Sequence, residues 1–308
     1  MVYTVTLNPA LDYEVLVDGL HTGSLNRTKN EHMHFGGKGV NVSTVLHSLG
    51  VETAALGFVA GFTGQALEDG LKAAGIRTDF VHLEEGLTRV NVKIRSGGGG
   101  EETEINSQGP AIPAPALEAL FQKLDRLTAG DVLVLAGSLP AGLPSDVYQR
   151  ILARVEGRGV LTAVDAARDV LRGVLPYRPF LIKPNSAELG ELFGKSSLTE
   201  EDTLACARSL QKQGARNVLV SMAGDGSLLL DETGACRRLG VPQGKVLHSV
   251  GAGDSMVAGF LAGWLESGDY AAAHRMGAAA GSATAFSDGL ATGPEVRTLL
   301  AAIYYVGN

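Results

Sequence analysis

The sequence predicts an α/β protein, a doubly wound and mostly parallel sheet with helices on both faces, accompanied by a small separate β-sheet. Three observations lead there. From residue 114 onward, short and almost wholly apolar strands alternate with amphipathic helices, as in a sheet buried on both faces. Those strands end in glycine or polar residues, where an open parallel sheet places its ligands. Before residue 108, in contrast, several short segments alternate polar and apolar residues, as a thin sheet with one wet face does.

Composition narrows the function. The 308 residues are 45% hydrophobic and 19% charged, ordinary values for a globular enzyme. A net charge of −7 argues against a nucleic-acid partner, which would need a basic surface. Cys206 and Cys236 have neither metal-ligand spacing nor a disulfide framework, which fits a reducing compartment. No leader is visible at the start, and no apolar run approaches the roughly 20 residues of a membrane span. A cytoplasmic protein without a membrane partner is expected.

In chain order, residues 3–7 form a β-branched strand ending at Asn8-Pro9, with Asp12 just beyond as a candidate for sugar or ribose hydroxyls. Residues 14–18 and 31–35 read as two further strands. His32 and His34 share a strand face but have no third ligand, so an exposed face is expected rather than a metal site. Gly36-Gly37-Lys38-Gly39-Val40-Asn41 opens a helix. Its glycines permit close backbone approach, Lys38 offers a charge for phosphate, and Asn41 can bond hydroxyls. Strand 53–59, helix 64–74 and strand 80–83 follow. Segments 87–95 and 101–106 read as a hairpin around Gly97-Gly98-Gly99-Gly100, a tip that suits a lid and is just as compatible with a plain loose hairpin.

The regular alternation then begins: helix 114–127, strand 131–136 ending in Gly137-Ser138, helix 145–156, strand 160–164 ending in Asp165, helix 169–175, and strand 180–182 ending in Lys183-Pro184-Asn185. Asn185 and Glu188 have the spacing of a capping box for the next helix. The run 190–196 (GELFGKS) is one residue short of a phosphate-binding loop and follows a helix, so it is rejected. Helix 200–213 and strand 217–221 lead to the tight turn Ala223-Gly224-Asp225-Gly226, a plausible nucleotide edge running into strand 227–230, with 235–239 as its partner. Two alanine-rich helices, 270–286 and 294–305, close the chain.

Before them lies Val250-Gly251-Ala252-Gly253-Asp254, where a short strand enters a helix with apolar residues at 257, 260, 261, 264 and 265. The unpaired N–H groups of that first turn, among glycines, suit an anion, and Asp254 stands beside them. Phosphoryl transfer to a deprotonated hydroxyl is one reading; a glycine turn with a dipole-matching acid is the other.

Taken together, the motifs resemble the ribokinase-like, PfkB-type sugar kinases along essentially the whole chain. The resemblance rests on residues 6–12 (TLNPALD), 36–41 (GGKGVN), 88–93 (TRVNVK), 136–142 (AGSLPAG), Lys183-Pro184-Asn185, Glu188 and 250–254 (VGAGD), all in family order. The wording GGKGVNV and the Thr-Glu-Ile-Asn of 103–106 are most similar to the bacterial 1-phosphofructokinase and tagatose-6-phosphate kinase branch. The resemblance implies a core of residues 1–11, 36–86 and 108–308, and an inserted β lid of 12–35 and 87–107 that often forms a dimer contact. It implies Asp254 as general base, and the amides of Gly251, Ala252 and Gly253 as the anion hole. Asp12, Gly37, Lys38, Asn41, Arg89 and Ser138 would hold a phosphosugar. Lys183, Asn185, Glu188, Ser221, Gly224 and Gly226 would hold ATP, joined by Gly251 and Gly253, with Glu188 reaching Mg²⁺ through water.

Cations such as Lys38 and Arg89, with Arg27 as a possible third, suit a phosphorylated acceptor better than a neutral sugar. Ala166-Ala167 after Asp165 departs from relatives with hydroxyl residues there, so a structural Asp165 is expected. The preferred reaction is fructose 1-phosphate to fructose 1,6-bisphosphate, the alternative tagatose 6-phosphate phosphorylated at its 1-hydroxyl. A non-catalytic sugar-phosphate sensor is the reading from another class, disfavoured by the presence of Asp254.

Overall fold

A computed structural model describes residues 1–96, 102–166 and 168–306. The expected tip at Gly97 to Gly100, and Ala167, lie outside the described residues. The first half runs β1 (Val2–Thr6), β2 (Ala10–Val17), β3 (Asn30–Gly36), α1 (Lys38–Ser48), β4 (Thr53–Ala60) and α2 (Gly61–Ala73). Then come β5 (Arg77–Thr78), β6 (Val81–Leu83), β7 (Arg89–Ser96), β8 (Glu102–Ile105), α3 (Ala114–Leu124) and β9 (Val132–Ala136). The second half continues with α4 (Val147–Val155), β10 (Leu161–Asp165), α5 (Arg168–Val174), β11 (Leu181–Ile182), α6 (Ser186–Leu192) and α7 (Glu200–Lys212). It ends with β12 (Asn217–Ser221), β13 (Ser227–Leu230), β14 (Cys236–Leu239), α8 (Ala252–Ser267), α9 (Tyr270–Phe286) and α10 (Gly293–Leu300).

Ten strands form the main sheet in the order β14-β13-β12-β11-β10-β9-β1-β4-β5, with β6 also on β4. All pairings are parallel except β12 with β13 and β13 with β14. The central strands are buried along their whole length, because helices cover both faces. Parallel strands share one direction, so the C-terminal ends of β1, β9, β10, β11 and β12 lie along one edge. That edge is where the site falls.

The second sheet has the order β3-β2-β7-β8. β2 starts at Ala10, earlier than the strand expected at 14–18, because its backbone pairs with β3 and β7 at once. Asp12 therefore stands on a strand of this small sheet and not on a loop past β1. His32 and His34 are exposed on β3, and among the described residues no three His, Cys, Asp or Glu gather as a metal site. The strand expected at 80–83 is present as β6, and a two-residue strand not expected from sequence, β5, precedes it on β4. The last helix ends at Leu300, short of the expected 305, because Tyr304 and Tyr305 turn back to pair with Gly240 and Leu239.

Small residues allow close packing of α8 on α9: a Cβ added at Gly259 would sit 2.5 Å from the Met276 carbonyl. Most of the alanines of α9 are thus explained by packing. No described helix is long and apolar enough to cross a membrane.

Candidate active site

A cleft of about 1340 Å³ opens along the strand ends and beneath the small sheet. It is large enough for two small ligands side by side. Every site residue expected from sequence lines it: Asp12, Gly37, Lys38, Asn41, Arg89 and Ser138; Lys183, Asn185, Glu188, Ser221, Gly224 and Gly226; and Gly251, Ala252, Gly253 and Asp254. Arg27 does not; it is exposed on the loop between β2 and β3.

The start of α8 is built by Gly251, which sits at φ 78, in the left-handed region that favours glycine. The turn brings Gly251 and Gly253 to the cleft, but the Ala252 N–H, expected to join the anion hole, closes the turn instead by donating to the Ser249 carbonyl at 3.2 Å. Asp254, in that first turn, is 5% exposed, and its Oδ2 accepts a hydrogen bond from Asn41 Nδ2 at 2.8 Å. Asn41 thus bonds the acid, whereas the sequence suggested only hydroxyls of a ligand. Burial, followed by the nearby Asp165 carboxylate, pushes the Asp254 pKa up to about 7, against the opposing pull of Lys38, Asn41 and Lys183.

Asp165, expected to be structural, is part of this cluster. It ends β10 almost fully buried, with Lys38 Nζ 3.2 Å from Oδ2 and Lys183 Nζ 3.6 Å from Oδ1. The two alanines after it remove hydroxyl ligands, but the carboxylate itself still faces the cleft. Burial alone would depress the Lys38 ammonium; Asp165, Asp254 and Glu188 more than offset it and raise its pKa, so Lys38 stays charged. Two buried carboxylates are thereby matched by two ammonium groups poised at the strand ends.

The small sheet contributes a second cation group. Arg89 donates from Nε to the Asn8 carbonyl, and Asn91 donates to Asp12 Oδ1 at 2.8 Å. Lys93 lies 3.4 Å from Asp12 Oδ2 and also lines the cleft. Asn91 and Lys93 were not singled out from sequence. The signal was available: in Arg89-Val90-Asn91-Val92-Lys93 the three polar residues alternate, so they share one strand face. Burial, partly offset by Asp12, lowers the Arg89 pKa from its ordinary value.

Across the cleft, Asn185 and Glu188 form the expected capping box: Glu188 N–H donates to Asn185 Oδ1 at 2.8 Å, and Asn185 N–H to Glu188 Oε2 at 2.9 Å. Gly190 falls inside α6, in agreement with rejecting a phosphate loop there. Gly226, at φ 87, is irreplaceable in its turn: a Cβ would lie 1.9 Å from the Leu239 carbonyl.

Helix starts that bind anions occur on many folds. One that faces a buried carboxylate at the edge of a parallel sheet, with a cation-bearing second sheet above, has the layout of a small-molecule kinase. Comparison with known proteins narrows the class. The profile described as pfkB family carbohydrate kinase matches residues 6–297. The chain is 44% identical over 300 residues to a 1-phosphofructokinase of Bacillus subtilis, covering 97% of each chain. It is 40% identical over 292 residues to a D-tagatose-1-phosphate kinase of Bacillus licheniformis, covering 94% of each. Phosphofructokinase-2 from Escherichia coli in complex with substrates and products superposes with a TM-score of 0.92, at 27% identity, over 97% of this chain and 98% of that one. The chain belongs to the pfkB family of carbohydrate kinases and has its ribokinase-like fold.

Proposed function

We propose that this kinase transfers the γ-phosphoryl group of ATP to fructose 1-phosphate, giving fructose 1,6-bisphosphate. The observation that carries the reading is a set of cations facing one cleft, Arg89 and Lys93 from the small sheet and Lys38 from the start of α1, chemistry for a phosphate dianion more than for a neutral sugar. The 44% identical relative, a 1-phosphofructokinase, supports it.

In this reading Asp254 takes the proton of the acceptor hydroxyl. Its Oδ2 is held by Asn41, which leaves Oδ1 for the sugar. The deprotonated oxygen bonds to the γ-phosphorus as the bond to the ADP oxygen breaks. The N–H groups of Gly251 and Gly253, with Lys183, stabilise charge on the transferring group, while the Ala252 N–H holds the turn through the Ser249 carbonyl. Asp12 and Ser138 bond sugar hydroxyls, Gly37 allows close approach, and Asn185, Ser221, Gly224 and Gly226 border the nucleotide.

Mg²⁺ fits the nucleotide side. Glu188 commits one oxygen to its cap and keeps the other, while Asp165 Oδ1, which accepts no hydrogen bond, lies 3.6 Å from Lys183 Nζ. So sparse a carboxylate set suits a cation that keeps several waters, with Glu188 acting through one of them. Such an ion would neutralise phosphate charge.

Residues 12–35 and 87–107 act as the lid. Met33, Tyr13, Val92 and Ile105 pair in register across its four strands, on the face opposite Asp12 and Asn91. Met33 is 50% and Ile105 57% exposed. This open apolar row supports a homodimer formed through the lid; sedimentation showing only the 32.0 kDa species would remove it. The two free cysteines fit a cytoplasmic location.

The competing acceptor is better drawn as D-tagatose 1-phosphate than as tagatose 6-phosphate, since the 40% identical relative carries that name. An ADP-release assay over fructose 1-phosphate, tagatose 1-phosphate, tagatose 6-phosphate, fructose 6-phosphate and fructose is expected to give the highest kcat/KM on fructose 1-phosphate. A higher value on either tagatose phosphate moves the assignment to that sugar. Arg89→Ala is expected to raise KM for the phosphosugar at least about tenfold with a smaller effect on kcat. An unchanged KM takes Arg89 out of the phosphate site.

A further inference from the structure

Between the core and the small sheet the chain crosses four times, and three of the crossings meet at Asn8. It leaves β1 through Asn8-Pro9 into β2 and returns from β3 into α1 at Gly36-Gly37. It leaves again at Thr88-Arg89 into β7 and returns from β8 through Ser107-Gln108-Gly109. Asn8 is 8% exposed, and its Nδ2 donates to the Gln108 carbonyl at 2.9 Å, which ties the first crossing to the last. Its own carbonyl accepts from Arg89 Nε at 3.1 Å, at the third. Gly109, at φ 86, packs against the carboxamide so closely that an added Cβ would lie 2.2 Å from Asn8 Oδ1.

A guanidinium carries five N–H donors in a planar fork. Committing Nε to the Asn8 carbonyl fixes the plane of that fork, and among the described residues no hydrogen-bond or ion-pair partner meets the two Nη groups. They are left to face an anion in the cleft that Arg89 lines. The carbonyl aims Arg89 only while its own peptide is held. The ring of Pro9 restricts rotation on one side of that peptide, and the Nδ2 bond to Gln108 restrains Asn8 on the other. We propose that Asn8 is a positioning residue, whose side chain sets the angle at which Arg89 meets the phosphate of the phosphosugar. The proposal rests on the reading above that Arg89 binds that phosphate.

Asn8→Ala is expected to raise KM for fructose 1-phosphate about three- to tenfold, the scale of one hydrogen bond, with KM for magnesium ATP within about twofold of the parent value. A residue that merely joined the two sheets would lower Tm and weaken both substrates alike. In an Arg89→Ala background the same substitution is expected to change the phosphosugar KM by less than about twofold, because the group it acts through is gone. Gly109→Ala reaches the carboxamide from the other side and displaces it from Gln108, so the same pattern is expected without removing Asn8; it carries the test if Asn8→Ala does not fold. Equal factors in the two backgrounds, or equal rises in both KM values, overturn the proposal and leave the phosphate site intact. An unchanged phosphosugar KM in Arg89→Ala alone removes the phosphate reading and the proposal with it.

Discussion

Asp254→Asn is expected to lower kcat at least about a hundredfold while phosphosugar binding survives, because the amide keeps the hydrogen-bonding shape but cannot take a proton. Near-normal turnover removes Asp254 as the base. The pH profile makes the same case. A base works only when deprotonated, so with a pKa near 7 the kcat/KM of the parent enzyme rises with pH through neutrality, not near the ordinary carboxylate range around 4. Stability moves the other way. The folded pKa lies above the unfolded value, so the native chain binds more protons than the unfolded one between about pH 4 and 7. The contribution of the neutral acid is fully present below about pH 4 and lost as pH rises through 7. Asp254→Asn should therefore show a higher Tm than the parent at pH 8 and little difference at pH 4. A lower Tm at pH 8 would mean that Lys38 and Lys183 already compensate the charge.

Gly251→Val is expected to cost kcat/KM a hundredfold or more, the scale seen when donors to developing charge are misplaced. Two observations set the size. Gly251 has φ 78, and an added Cβ would come within 2.6 Å of Leu290 Cδ2. The valine must either strain or turn the helix start, and either response re-aims the N–H groups over the transferring phosphoryl group. Circular dichroism should find the folded state retained, with a Tm lower by several degrees, since left-handed non-glycine backbone costs about 1–3 kcal/mol. Full activity would place the anion hole elsewhere.

Local patterns made much of this molecule legible in its sequence. Asn185 and Glu188 announce their capping box by spacing alone, and the strand at 217–221 and the helix at 270–286 lie where turn residues and apolar periodicity put them. Ser138, Lys183, Asn185 and Ser221 reached the cleft because a parallel sheet gathers its strand ends on one edge, whereas Asp12 and Arg89 reach it from the small sheet. What pairs across that edge was not legible. Lys38 and Lys183 each come within 4 Å of Asp165 because crossovers set β1, β9, β10 and β11 side by side, and the 127 residues between Lys38 and Asp165 leave no local trace. Asp165 was discounted from its alanine neighbours, which says nothing about where its own carboxylate points. Asp12 was placed beyond β1 because Asn8-Pro9 resembles a turn, yet a strand begins directly after it once β3 and β7 are there to pair. Lys93 was overlooked for want of one step, applying strand alternation to a segment already read as a strand.

The central claim is that Asp254 directs phosphoryl transfer onto a sugar already phosphorylated at one end. The most direct measurement is ³¹P NMR of the protein incubated with magnesium ATP and fructose 1-phosphate. The expected spectrum gains ADP and a second sugar phosphomonoester resonance equal in intensity to the first, that of a hexose bisphosphate. ADP accompanied only by inorganic phosphate, or a new phosphomonoester formed only when unphosphorylated fructose is supplied, would contradict it.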